Sequence, residues 1–157
     1  MYILEQDYRK ALTWLPILCV DLLIIHQKKC LLLKRSNEPA LGQYWFPGGR
    51  INKLETIKEA AIRKAKEETN LNCVFVKNIS IEETIFPKNE NMGTDVHTFN
   101  ICCHLIPNNI DSLKIDKDHD EYTWIGESSN TFHDAVNHPL SLMGFEINES
   151  LNLRAQL

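Results

Sequence analysis

A glycine pair followed by an acidic helix constrains this chain more than any other feature of its 157 residues. The pair is Gly48-Gly49, and the charged residues that follow it at fixed spacing are Glu55, Arg63, Glu67 and Glu68. Glycine lets the backbone approach a ligand closely, and carboxylates supply the oxygen ligands that hard divalent cations prefer. The spacing therefore predicts a tight turn joined to a helix, with a cation held beside a phosphate group.

Length and composition indicate one domain over residues 1–157 with a sizeable core. Hydrophobic residues make up 43% of the chain and charged residues 24%, which is an ordinary globular balance. The formal net charge of -4 disfavours a broad nucleic-acid surface. A small phosphorylated ligand stays compatible with this charge, because arginines act locally.

Neither secretion nor membrane insertion is expected. The N-terminus lacks a basic start and a long apolar run, so no signal peptide is predicted. The apolar runs are shorter than the roughly 20 residues that a membrane helix needs. Five cysteines without a C-x-x-C pair favour buried free thiols in a reducing cytoplasm over a zinc site.

The local patterns predict an α/β/α sandwich around a mixed central sheet. Helices are expected over Glu5–Trp14 and Thr56–Thr69, the second with a Thr56–Glu59 capping box and Asn70 at its end. Residues 108–121 are expected to form a polar loop. The predicted strands are Pro16–His26, Cys30–Lys34, Cys73–Ile85, Val96–Ile106 and Tyr122–Ile125.

The charged helix has two competing interpretations. Arg63 and Glu67 lie one helical turn apart, and taken alone this repeat favours an exposed helix with Glu–Arg ion pairs. The glycine turn at fixed distance reverses that preference, because a Gly48 carbonyl and the carboxylates Glu67 and Glu68 suit Mg²⁺ or Mn²⁺. Such a metal would draw charge from a phosphate and stabilise it as a leaving group.

This stretch resembles the Nudix box, G-x5-E-x7-R-E-U-x-E-E-x-G-U, where U is an aliphatic residue. The matching residues are Gly49, Glu55, Arg63, Glu67, Glu68 and Leu71. The preceding segment 44–49 is also similar to the aromatic-Pro-Gly-Gly segment of that family. Lys64 stands where most members carry an acid that binds metal or activates water, and a protonated lysine repels a cation. The base therefore lies elsewhere, or the attack occurs at another atom.

Outside the box, the chain resembles the GDP-mannose mannosyl hydrolase branch of the Nudix superfamily. The similar segments are residues 2–8, 16–21, 34–40, 93–95 and 116–124. That branch also lacks the acid after the arginine. It cleaves its substrate at sugar carbon C1 with inversion, and a loop histidine is the general base. The resemblance assigns this role to His119, and an imidazole pKa near 6.5 suits proton abstraction at neutral pH.

The same resemblance implies further site residues. Gly48 (through its carbonyl), Glu68 and Asp118 match metal-ligand positions, and Glu67 is an extra acid at which a second metal is conceivable. The other matches are Arg35 and Arg50 for the phosphates, Asp21 near the sugar, and Tyr2, Ile3 and Tyr8 for the nucleotide within a homodimer. Asn100 replaces a tyrosine of that branch near the diphosphate, and His97 is the reserve candidate for the base.

Three functions follow as alternatives. The leading one is Mg²⁺-dependent hydrolysis of a nucleotide sugar, GDP-mannose or GDP-glucose, to GDP and a hexose. The second is a pyrophosphohydrolase that cleaves a nucleoside diphosphate derivative or triphosphate at phosphorus, which Glu67 supports and Lys64 opposes. The third is a nucleotide-binding module without turnover. The sequence leaves open the base, the sugar, the number of metals and the oligomeric state.

Overall fold

The computed structural model describes residues 3–150, which form three helices and seven strands. In chain order these elements are α1 (Glu5–Trp14), β1 (Ile17–His26), β2 (Lys29–Arg35), β3 (Tyr44–Trp45), β4 (Gly48–Arg50), α2 (Ile57–Thr69), β5 (Cys73–Phe86), β6 (Val96–Pro107), β7 (His119–Ile125) and α3 (Asp134–Leu142).

The strands form one mixed sheet, as predicted. Its order is β3-β2-β1-β6-β5, with β4 paired to β1 and β7 paired to β2. The β1–β6 pair is parallel, and the other pairs are antiparallel. Central strand β1 pairs with β2 only at its end and with β4 nearer its start, where Asp21 lies opposite Gly48. The predicted tight turn at Gly48-Gly49 is therefore wrong, because both glycines belong to strand β4 and pair with β1 in the middle of the sheet; this pair is called the glycine segment below.

Alternation along the central strands creates two hydrophobic cores, one on each face of the sheet. Leu22 and Ile24 pack in the core that contains the α2 alanines, whereas Leu23 packs in the core that contains Val136 and Leu140 of α3. Successive side chains of a strand point to opposite faces, so these buried apolar runs need a helix on both sides. The predicted sandwich is confirmed.

Helix α2 begins and ends where the sequence predicts. Thr56 and Glu59 form the reciprocal capping box, and Asn70 takes the left-handed conformation with φ 56° at the C-terminus. The buried residues of α2 are Ala60, Ala61, Ala65, Glu68 and Thr69. Glu68 therefore belongs to the buried side of the helix, unlike the neighbouring Glu67.

One boundary prediction was wrong, and it concerns the candidate base. Strand β7 begins at His119 rather than at Tyr122, so the end of the expected loop 108–121 is strand. The strand extends because β7 stays paired to β2 up to Arg35, across an irregularity between Lys34 and Arg35. His119 and Arg35 are thus direct partners in the sheet.

Two compositional expectations concern the whole chain. Across residues 3–150, no helix is long and apolar enough to cross a membrane. All five cysteines are free thiols, and four of them are buried. Burial raises the pKa of Cys73 to about 11, which leaves this thiol protonated and unreactive at neutral pH.

Candidate functional site

Most of the residues predicted from the sequence line one cleft of about 560 Å³. The cleft lies where β1, β4 and the end of β2 meet α2, and helix α1 borders it through Glu5 and Tyr8. The candidates that line it are Tyr8, Asp21, Arg35, Gly48, Arg50, Glu68, Asp118 and His119.

Two candidates lie elsewhere. Ile3 is exposed ahead of α1 and is not part of the cleft lining. The Glu67 side chain is 49% exposed and contacts Arg63 and Lys64 instead of the cleft. Tyr2 lies outside the described residues.

The glycine segment Gly48-Gly49 requires glycine at both positions. A Cβ atom at Gly48 would lie 2.2 Å from the backbone oxygen of Val20, because β4 crosses β1 closely there. Gly49 has φ +145°, and its Cβ would lie 2.7 Å from Lys64 Cε. The glycine segment therefore packs tightly against β1 on one side and against Lys64 of α2 on the other.

Arg63 connects helix α2 to Arg50 at the end of β4 and to Glu55 in the loop that follows. Its Nε and Nη2 donate to the two Glu55 carboxylate oxygens at 2.5 and 2.7 Å, and Nη2 also donates to the Arg50 carbonyl at 3.0 Å. The hydrogen bond from Arg63 lowers the pKa of Glu55 below its ordinary value. Glu55 and Arg63 thus hold the loop in shape and are already satisfied by each other.

Glu68 is the acid of α2 that faces the cleft. It is only 8% exposed, and each of its two carboxylate oxygens has a polar partner. Oε2 accepts from the Gly48 N–H at 2.9 Å, and Oε1 lies 2.8 Å from Lys64 Nζ. Burial lowers the pKa of Lys64, but the Glu68 and Glu67 carboxylates more than offset that effect, so the lysine stays charged at neutral pH.

The oxygen donors of this cleft fit a hard divalent cation in kind. Gly48, Glu68 and Asp118 line the same cleft, and carboxylate and backbone carbonyl oxygens are the ligands that such a cation prefers. Within residues 3–150, however, no three His, Cys, Asp or Glu side chains are gathered into a metal-binding group. Any cation site would therefore also need the backbone carbonyl.

His119 is held by a carboxylate that the sequence did not single out. Its side chain is 6% exposed, and Nδ1 lies 2.7 Å from Asp116 Oδ1. An ionised carboxylate only accepts, so Asp116 favours the tautomer with the proton on Nδ1, in which Nε2 is the ring nitrogen that can accept a proton. In that tautomer His119 can act as a base, and it lies on a cleft that a substrate can enter.

Asp21 is 5% exposed and accepts a hydrogen bond from Trp45 Nε1 at 3.1 Å. Burial raises the pKa of this carboxyl to about 7, although the Trp45 hydrogen bond and the Arg35 charge oppose the rise. The group is therefore partly protonated at neutral pH, and it can donate to or accept from a neutral hydroxyl.

Two arginines supply positive charge. Arg35 Nε donates to the Pro39 carbonyl at 2.7 Å, and the Arg50 guanidinium stacks over the Tyr8 ring at 4.6 Å. Arg50 Nε is the buried side-chain polar atom in the described part of the chain that has no hydrogen-bond partner. A buried donor without a partner is costly, and an anionic ligand in the cleft would satisfy it.

Several contacts escaped sequence reasoning because they join residues far apart in the chain. Asn37 donates to Asp118 across 81 residues at 3.1 Å, and Trp45 reaches Asp21. Asn37 falls in a segment that carries the resemblance, which was the available signal. The reserve base His97 is bonded to Glu83 at 2.9 Å and is not part of the cleft lining.

Comparison with known proteins gives the family. A sequence model of the NUDIX domain matches residues 16–138. The chain is 28% identical over 117 residues to the low-salt glycan biosynthesis protein Agl8 of Haloferax volcanii, covering 74% of this chain and 75% of that protein. It is 41% identical over 68 residues to an ADP-ribose pyrophosphatase of Methanocaldococcus jannaschii, covering 43% of this chain and 40% of that protein.

Solved structures agree on the fold. The crystal structure of a MutT NUDIX hydrolase from Burkholderia pseudomallei superposes with a TM-score of 0.69, covering 81% of this chain and 97% of that one. Sequence identity over this match is 19%, so the likeness concerns the arrangement of helices and strands.

Proposed function

Because the chain belongs to the Nudix family, we propose that it hydrolyses a nucleotide sugar, GDP-mannose or GDP-glucose, to GDP and free hexose. Water attacks sugar carbon C1 in this reaction. The observation that carries the proposal is the His119–Asp116 pair on the cleft, in which the carboxylate contacts Nδ1 and Nε2 is the nitrogen that would act as the base. Hydrolysis of a nucleotide derivative follows from the family, and the choice of a GDP-sugar is the proposal.

His119 removes the proton from the attacking water. Asp116 keeps Nδ1 protonated and stabilises the positive charge that the ring gains when Nε2 takes up the proton. Lys64 occupies the box position at which most Nudix enzymes carry an acid, so no carboxylate is available there to activate water against phosphorus. A base on β7 and an attack on carbon fit this arrangement better.

The leaving group is GDP, which departs with the electron pair of the C1–O bond. Arg35 and Arg50 present guanidinium groups to the diphosphate, and the unpaired Arg50 Nε gains an acceptor when the anion binds. Magnesium, or manganese, would be held by the Gly48 carbonyl, Glu68 and Asp118 and would add positive charge at the diphosphate. Glu67 lies outside the cleft, which favours one metal over two.

Asp21 lies on the same cleft and is suited to a sugar hydroxyl. Its raised pKa permits both donation and acceptance of a hydrogen bond near neutral pH. Trp45 binds Oδ2, and Oδ1 lies beside Gly48, where an added Cβ would be 2.8 Å away. This residue would position the hexose for attack at C1.

The second candidate is a pyrophosphohydrolase that attacks phosphorus. A specific observation favours it, since this chain is 41% identical over 68 residues to an ADP-ribose pyrophosphatase. Against this, the similarity to a glycan biosynthesis protein extends over 74% of the chain and fits a sugar-linked substrate.

Hydrolysis in ¹⁸O-water separates the two reactions. The protein is incubated with Mg²⁺ and GDP-mannose, GDP-glucose, ADP-ribose or a nucleoside triphosphate, and the products are analysed by mass spectrometry. We expect ¹⁸O in the hexose and unlabelled GDP. Label in a phosphate product would instead establish the pyrophosphohydrolase, and binding without turnover would favour a binding module.

A homodimer in the cytoplasm completes the proposal. Helix α1 has no buried residue, and apolar side chains at and beside it are exposed, namely Leu4, Trp14 and Leu15. A second copy that covers these side chains would place α1 beside the neighbouring cleft. Light scattering on the purified protein measures the oligomeric state, and a monomer at micromolar concentration would contradict this part. The five free thiols fit a reducing compartment.

A further inference from the structure

The Lys64 ammonium is built into the cleft. Nζ lies 2.8 Å from Glu68 Oε1 and 3.2 Å from Glu67 Oε2, and the side chain is only 17% exposed. The neighbouring Lys66 behaves differently, since it is exposed and donates to the Asn70 carbonyl at the helix end. Lys64 is thus a fixed positive charge at the acid of α2 that faces the cleft.

The surroundings keep Lys64 in this position. The Gly48 N–H binds Glu68 Oε2, which orients the carboxylate so that Oε1 remains for the ammonium. Gly49 leaves room for the lysine stem, because a Cβ at that position would lie 2.7 Å from Lys64 Cε. The Gly48 N–H therefore orients the Glu68 carboxylate, and the missing side chain at Gly49 leaves room for Lys64.

We propose that Lys64 is a tethered competitor of the divalent cation. Its ammonium occupies the Glu68 oxygen that a metal would need, so a metal binds only when the Lys64 side chain moves aside. The affinity for metal is consequently weaker than the oxygen donors alone would give, since like charges repel at this short range. The inference rests on the metal site of the proposed function.

Metal binding without substrate tests the competition directly. The purified proteins are titrated with Mn²⁺, and free Mn²⁺ is followed by electron paramagnetic resonance. We expect K64M to bind Mn²⁺ at least about tenfold more tightly than the wild type, because the competing charge is gone. The matched control K66M removes the same charge from the same helix away from Glu68, and its affinity should stay within about twofold of wild type.

The outcomes separate this inference from the metal site itself. E68Q should abolish the binding gained in K64M if Glu68 is the contested ligand. Equal or weaker Mn²⁺ affinity in K64M than in wild type would overturn the inference and leave the metal site in place. If neither protein binds Mn²⁺ at millimolar concentration, the metal site and the inference both fail, whatever the ¹⁸O experiment gives. Circular dichroism verifies folding, and K64Q replaces K64M if K64M is unfolded.

Discussion

The glycine segment together with α2 forms one region of the cleft, and the paired ends of β2 and β7 form another. These two regions contribute to the cleft in different ways. In the first region most charges bind one another, since Arg63 contacts Glu55, Glu67 and the Arg50 carbonyl. In the second region His119 and Arg35 are strand partners on the cleft. The region with the Nudix box uses most of its charges to hold its own shape, and the second region carries the candidate base.

Adjacent residues of α2 illustrate the same contrast. Glu67 is half-exposed and paired with Arg63, whereas Glu68 is buried on the side of the helix that carries Ala61 and Ala65. A helical step of about 100° turns neighbours onto different faces. Membership of a motif therefore does not give two acids the same role.

Replacing the base should have the largest effect. H119A is expected to lower kcat by about 10³-fold, equivalent to about 4 kcal/mol of transition-state stabilisation, because water loses its proton acceptor. Steady-state release of GDP from the GDP-sugar measures this loss. The control H97A removes a histidine outside the cleft and should leave kcat within twofold. Full turnover in H119A would show that His119 is not the base and that a group in the α2 region activates the water.

Asp21 should control stability in a pH-dependent way. Burial raises its pKa from the ordinary 3.8 to about 7, so between pH 4 and 7 the native state binds more protons than the unfolded state. The free energy of unfolding contributed by this group therefore falls as pH rises through that window. D21N removes the buried charge and should be more stable than wild type by about 3 kcal/mol at pH 8.

Urea unfolding of wild type and D21N at pH 4, 6 and 8 measures the difference. The gap should widen with pH, and hydrolysis of the GDP-sugar should fall in D21N. A gap that is constant across the three pH values would show that Asp21 does not titrate in this range.

Arg63 tests the structural side of the comparison. R63M should lower the free energy of unfolding by about 2 kcal/mol, because the part-buried Glu55 carboxylate and the Arg50 carbonyl lose their donor. Thermal or urea unfolding measures the loss. K58M removes a positive charge from an exposed position of the same helix and should change stability by less than about 0.5 kcal/mol. Equal effects of the two substitutions would show that the contacts of Arg63 with Glu55 and the Arg50 carbonyl do not stabilise the fold.

Asp116 gives the smallest effect. D116N keeps an oxygen that can accept from His119 Nδ1 but removes the charge, so kcat should fall only about tenfold, equivalent to about 1.4 kcal/mol. The control D120N makes the same change at the exposed neighbour of His119 and should leave kcat nearly unchanged. If D120N is the more damaging variant, Asp116 does not orient the base.

Local rules explain what could be predicted from the sequence. The capping box, the left-handed Asn70 and the period of the strands act over a few residues, so α2 and most strand boundaries were predicted within about two residues. The start of β7 was missed because polar residues 119–121 carry no strand signal of their own. They become strand by pairing with β2, which is a long-range contact.

By itself, the sequence determined the sandwich class and the family, because both depend on residue type at short spacing. Pairing with β1 made the predicted glycine turn a strand. Only the tertiary structure decided the partners in the cleft. Asp116 contacts His119, Trp45 donates to Asp21, and Lys64 pairs with Glu68, so the Glu68 carboxylate is not free. Burial and strand pairing bring these groups within hydrogen-bond distance. The sequence determines which charged and polar side chains the cleft contains. Packing determines which of them already have a hydrogen-bond or ion-pair partner.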